Sequence, residues 1–89
     1  MKLILCTDCQ DIVKLDCEER KCKCGNSGGK YLDGGLYAKV WGNCIPLGID
    51  NNSLKDGIQY VHNASRGYWS IEAFLINENK CNTIERISK

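Results

Sequence analysis

Four cysteines in the first 24 residues constrain this chain more than anything else in it. Cys6, Cys9, Cys22 and Cys24 follow the spacing C-x2-C-x12-C-x-C. Each close pair puts two thiols in one tight turn, and two such turns supply the four soft donors that a structural zinc ion takes. Gly25, directly after Cys24, lets the backbone bend around a metal. A chain of 89 residues buries a limited share of its surface and commonly needs a staple. Zinc bound here is expected to be that staple, a structural rather than catalytic cofactor, because four thiolates leave no open position. Two points stay open in the sequence. Cys17, five residues before Cys22, competes with Cys24 for the fourth place, although C-x-C-G makes the better turn. Iron also accepts four thiolates. Cys44 and Cys81 read as small apolar residues.

Seven cysteines are an odd number, whereas a disulfide framework uses pairs. Their clustering fits metal binding in a reducing compartment, so a cytoplasmic location is expected. The start of the chain imitates a lipoprotein signal, but its apolar run, Leu3 to Leu5, is far shorter than a secretory segment. No membrane association is expected. The N-x-S matches at Asn51 and Asn63 then carry no weight.

Around the cysteines the chain reads as one α+β domain over residues 1–89. A four-cysteine zinc ribbon (1–29) merges with a small, mostly antiparallel sheet and one helix (30–89). Lys2–Leu5 and the alternating stretch Asp11–Asp16 are expected strands. Glu18–Lys21 reads as a charged turn and Asn26–Gly29 as a loop leaving the second cysteine turn. Lys30–Leu32 and Leu36–Trp41 form a hairpin around Asp33-Gly34-Gly35. Cys44–Ile49 is a further strand, with Pro46 suited to a sheet edge. Asp50–Ser53 is rich in capping residues, and Leu54, Ile58 and Val61 follow at helical spacing, so a helix is expected over 52–63, weakened by Gly57. Tyr68–Ile76 is the most convincing strand, and Thr83–Ile87 a short final one.

Those residues bear a likeness. The opening M-K-L-I-L-C-x-x-C, the later R-K-C-K-C-G, the stretch S-G-G-K-Y and the apolar I-P-L-G-I-D-N resemble a group of small zinc-ribbon proteins of bacteria and their phages. The group brings no assigned function. The resemblance implies a cytoplasmic setting in a phage or mobile element. Cys17 and Cys44 stand outside its pattern.

The remaining features bear on function. Twelve basic and eleven acidic residues nearly balance, and residues 1–30 hold six of one and five of the other. Nucleic-acid affinity rests largely on cations facing phosphates, so a polymer partner ranks lower. No catalytic signature is present, and the single histidine, His62, suits a helix end. A non-enzymatic binding protein is therefore the leading expectation, possible as a homo-oligomer. Its partner is a small nucleotide-like ligand or a host protein, and in the phage setting it would neutralise a defence. The candidate ligand site joins Asn51, Asn52 and Ser53 at the helix start, which offer N–H groups to a phosphate, with Arg66 and Trp41 or Trp69, which stack on a base. Plain capping accounts for the first group, and core packing for many of the aromatics. The alternative is a nucleic-acid-binding zinc ribbon acting in transcription or RNA processing, using Lys14, Arg20, Lys21, Lys23 and Lys30.

Overall fold

The computed structural model describes residues 1–88. The chain is α+β, with two four-stranded sheets and one α-helix among the described residues. Its strands are β1 (Lys2–Cys6), β2 (Ile12–Lys14), β3 (Arg20–Lys21), β4 (Ser27–Leu32), β5 (Tyr37–Gly42), β6 (Cys44–Ile49), β7 (Ala73–Leu75) and β8 (Ile84–Arg86), and its helix is α1 (Asn51–Tyr60). The first sheet runs β2-β1-β6-β7 and the second β3-β4-β5-β8. Every pairing is antiparallel except β5 with β8. Among the described residues no helix is long and apolar enough to cross a membrane.

One core lies between the sheets. Ile4, Val13 and Cys44 reach it from the first, Ala38, Val40 and Ile84 from the second, with Leu15 between them. Polar ties join the sheets: the Tyr31 hydroxyl accepts from the Lys2 N–H at 2.8 Å, and the Tyr31 N–H donates to the Asp16 carbonyl at 2.7 Å. The molecule is elongated, 46 × 28 × 23 Å.

Several sequence expectations change here. Residues 27–29 are not loop but the buried start of β4, pairing with Gly42, Trp41 and Val40. Gly28 and Gly29 carry this: a Cβ on Gly28 would stand 2.7 Å from the Trp41 ring, and one on Gly29 2.6 Å from the Lys39 carbonyl. The charged turn at 18–21 contains a two-residue strand, because Arg20 and Lys21 pair with those glycines. Pro46 lies in an interior strand between Ile4 of β1 and the β7 side. Its carbonyl accepts from the Ile76 N–H at 2.9 Å, so its missing donor faces the point where the β6–β7 ladder ends. The segment 68–76 shortens to the three exposed residues of β7. Helix α1 begins at Asn51, one residue earlier than expected, and ends at Tyr60, with a tighter turn over Val61–Asn63. Its expected apolar stripe is not its packed face: Ile58 and Val61 are exposed, and Gly57 is buried against Ile71.

Candidate metal centre

Cys6 closes β1 and Cys9 lies in the turn after it. Gln10, in the left-handed region at φ 61°, turns the chain back, and its N–H donates to the Cys6 carbonyl at 2.8 Å. Cys22 and Cys24 occupy the second turn, closed by the Gly25 N–H donating to the Cys22 carbonyl at 3.1 Å. Gly25 has φ +78° and open space around it, so conformation alone calls for glycine there.

The two turns are bolted together by side chains the sequence reading did not single out. The Asp11 carboxylate accepts the Lys23 N–H at 2.9 Å, joining one turn to the other. Asp8 Oδ2 accepts from the amides of Asn26 at 3.2 Å and Asn43 at 3.0 Å. Asn43 belongs to the β5–β6 corner, whose carbonyl also takes the Thr7 N–H and hydroxyl. That corner is a third wall of the site. Gly42 makes it possible: it has φ +85°, and a Cβ there would stand 2.0 Å from the Asn26 carbonyl oxygen. The recoverable signal was Gly42-Asn43 itself, a turn pair directly before a strand.

The four sulfurs of Cys6, Cys9, Cys22 and Cys24 lie within 4.8 Å of one another. Cys24 Sγ is 3.6 Å from Cys6 Sγ and 3.5 Å from Cys22 Sγ. A tetrahedral ion with bonds of about 2.3 Å to sulfur needs edges of about 3.8 Å, so the cluster is consistent with four-coordinate zinc. Cys17 is exposed and outside this group, which leaves the fourth place to Cys24. Cys44 is buried beside the site and donates to the Trp41 carbonyl, and Cys81 contacts the Thr83 hydroxyl.

The thiols are tuned by position. Ser27 is fully buried, and its hydroxyl makes no hydrogen bond of regular geometry. It is nonetheless the strongest influence on Cys22, whose thiol is lowered to about 5, and on Cys6, also lowered. A buried hydroxyl left without a regular partner beside two sulfurs suits a centre whose sulfurs are ionised and metal-bound. The Asn26 N–H favours the Cys24 thiolate, but lost water and the three neighbouring sulfurs outweigh it, and that thiol is pushed up to about 12. Without metal the cluster thus keeps a proton on Cys24, because four thiolates cannot all be charged so close together.

The candidate ligand residues are divided among several places. Asn52, Ser53 and Trp69 line one cavity of about 630 Å3 with Tyr60. Asp50, Asp56 and Glu72 line it too, and among the described residues none of the three has a cation within ion-pairing distance. The helix-start donors are partly used: Asp50 accepts the Ser53 N–H at 2.8 Å, and the Ser53 hydroxyl accepts the Glu72 N–H at 2.7 Å. Asn51 instead faces the chain start, its side-chain oxygen 3.0 Å from the Met1 amine, and lines a second cavity of about 620 Å3 with Lys2, Phe74 and Lys80. Arg66 stacks over Tyr68 at 4.8 Å. Trp41 lies in the other sheet, 9% exposed, its indole N–H donating to Glu19 at 2.9 Å.

No family model matches the chain, and neither a curated protein nor a solved structure is similar to it. The four-cysteine centre is the part of the zinc-ribbon resemblance that the structure carries.

Proposed function

We propose that this protein is a zinc-stabilised, non-enzymatic binding module of the cytoplasm, where its thiols stay reduced. In the phage or mobile-element setting its sequence resembles, it neutralises a host defence by covering a host protein or sequestering a small nucleotide-like signal. One observation supports this reading: four sulfurs converge within 4.8 Å of one another, a set that can close a tetrahedral shell around a structural metal without an open position for a substrate.

The charge of the two cavities bears on the form of binding. The helix-start cavity, with three carboxylates, repels an anionic nucleotide. The cavity of Lys2, Tyr31, Asn51, Phe74 and Lys80 has two cations, apolar walls and no acidic lining residue, and suits an anion with a flat apolar body.

A second reading, a nucleic-acid-binding ribbon, has its own support. Lys30 and Lys39 stand directly opposite each other across β4 and β5, a placement that costs stability. Lys21 and Tyr37 share that outer face. A cationic strip with an exposed aromatic favours a phosphate chain.

Calorimetry with linear and cyclic nucleotides, alongside fluorescence polarisation with mixed single-stranded DNA and RNA, separates these forms. Nucleotide binding lost in Lys80→Ala identifies signal capture. Salt-sensitive oligonucleotide binding lost in Lys30→Glu with Lys39→Glu identifies the nucleic-acid ribbon. No binding in either assay leaves the host-protein form, and turnover of any nucleotide refutes the non-enzymatic reading.

A further inference from the structure

Strand register explains the shape of the cavity beside Lys2 and Phe74. Side chains alternate between the two faces of a sheet, and residues paired across strands share a face. Lys2 pairs with Gly48, and Gly48 with Phe74, so the three form one row on the face that carries Ile4 and the core. The middle of that row has no side chain. A Cβ on Gly48 would stand 2.6 Å from the Phe74 ring, so the ring lies across the glycine. Phe74 is 52% exposed and lines the cavity. The second sheet contributes Tyr31, whose ring centre lies 5.9 Å from the Lys2 ammonium. Two aromatic rings, one from each sheet, thus border a single cavity of about 620 Å3, within the range of small-molecule sites.

The polar side chains around it are donors. Lys2 and Lys80 form no ion pair among the described residues, and no described acidic residue lines the cavity. The Asn51 side-chain oxygen accepts from the Met1 amine, and that of Asn77 accepts the Asn79 N–H at 3.1 Å. Those bonds fix which end of each amide is oxygen, and neither Nδ2 meets an acceptor among the described residues. The Tyr31 hydroxyl accepts from the Lys2 N–H, which leaves its own hydrogen to donate. Donors without partners beside apolar walls favour a ligand rich in acceptors.

We infer that this cavity binds one mononucleotide with a keto base, of the uridine monophosphate kind. The inference rests on the signal-capture form of the proposed function and names its ligand. Lys2 and Lys80 match the roughly two negative charges of one phosphate monoester, whereas a triphosphate carries more charge than they meet. The base lies against Phe74, because every nucleobase has a face that stacks on an aromatic ring. A keto base turns carbonyl acceptors to the Asn51 and Asn77 amides. The exocyclic amine of adenine is a donor and finds no free side-chain acceptor there.

Calorimetry of the zinc-loaded protein with UMP, AMP, UTP and cyclic dinucleotides, up to about 1 mM, tests the inference. UMP is expected to bind once per chain, more tightly than AMP and no more weakly than UTP. Lys80→Glu is expected to weaken it by roughly tenfold or more, the loss of a charged hydrogen bond. Phe74→Ala removes the stacking platform, and Gly48→Ala pushes the ring off its seat, so each is expected to weaken UMP by roughly tenfold. Zinc content and circular dichroism are expected to stay unchanged in all three. Lys55→Glu, exposed on α1, is expected to bind UMP as the wild type does. UMP affinity unaltered by Lys80→Glu and Phe74→Ala places the ligand elsewhere and refutes the cavity. AMP binding as tight as UMP refutes the keto assignment, and tighter UTP refutes the single phosphate. If UMP fails but another nucleotide binds and is lost in Lys80→Glu, signal capture stands and the mononucleotide is refuted. If no nucleotide binds, the inference and the signal-capture form fall together.

Discussion

Asp8, Asp11 and Ser27 determine how well four cysteines become a metal centre. The cysteines supply the bonds, but these three hold the turns in register or face the sulfurs. Groups that orient metal ligands typically contribute about 10- to 100-fold to affinity. Asp8→Ala removes the one carboxylate that holds both Asn26 and Asn43. It is expected to weaken zinc binding by roughly tenfold in a chelator competition, whereas Cys6→Ser abolishes retention and Cys44→Ser or Cys81→Ser leaves the metal in place. An Asp8→Ala affinity equal to wild type would show that the corner is not part of the centre. Protonation provides a second check. Cys22, lowered from 9.0 to about 5, is ionised at neutral pH. The stabilisation from its depressed value is full above 9.0 and is lost as pH falls through about 5. Cys24, raised to about 12, still holds its proton at neutrality. Zinc must displace that proton, so affinity rises with pH. Calorimetric titration in buffers of different ionisation enthalpy is expected to show at least one proton released per zinc; none released contradicts the assignment of Cys24.

At the scale of elements, the sequence was legible where local chemistry decides and opaque where distant partners decide. The cysteine turns, β1, the β4–β5 hairpin and the start of α1 follow from spacing, alternation and capping residues. The buried start of β4 was hidden because Ser27-Gly28-Gly29 has loop composition, and only the approach of Trp41 and Lys39 explains the glycines. The reverse error occurred at 68–76, where apolar β-rich composition suggested a long strand but only Ala73–Leu75 finds a neighbour, on β6. The ligand site could not be read because Trp41 is drawn into the second sheet by its pairing with Gly28, while Trp69, outside both sheets, lines the helix-start cavity, and no spacing reveals that separation. The β5–β6 corner gives a test at this scale. Gly42→Ala adds a Cβ 2.0 Å from a backbone oxygen at φ +85°, so the corner must move away from the second cysteine turn. A loss of roughly 2 kcal/mol or more in denaturant unfolding is expected, accompanied by weaker zinc binding. Gly25→Ala meets no atom and suffers only from its backbone conformation, so it is expected to cost about 1–2 kcal/mol. Equal losses at the two positions would mean that the Gly42 contact is unimportant.

For the whole molecule, the question is how far the metal's influence extends. A ribbon that folded separately would lose only residues 1–29 on chelation. The core argues otherwise. Cys6 and Cys22 both belong to the candidate metal centre and to the nine-residue buried cluster that also holds Ala38, Val40 and Ile84 of the second sheet. Without zinc, the cluster must accommodate the Cys24 proton and the mutual repulsion of the remaining sulfurs. Structural zinc commonly contributes about 10–16 kcal/mol in small metal-bound folds. That matches or exceeds the whole net stability of about 5–15 kcal/mol typical of a domain. Chelation under reducing conditions is therefore expected to unfold both sheets in one transition. Hydrogen exchange provides the readout: amides of β5 and β8, far from the cysteine turns in sequence, lose protection together with those of β1. If β5 and β8 stay protected after metal removal while the first 29 residues exchange freely, the two parts fold independently and the shared core is not what makes the chain cooperative.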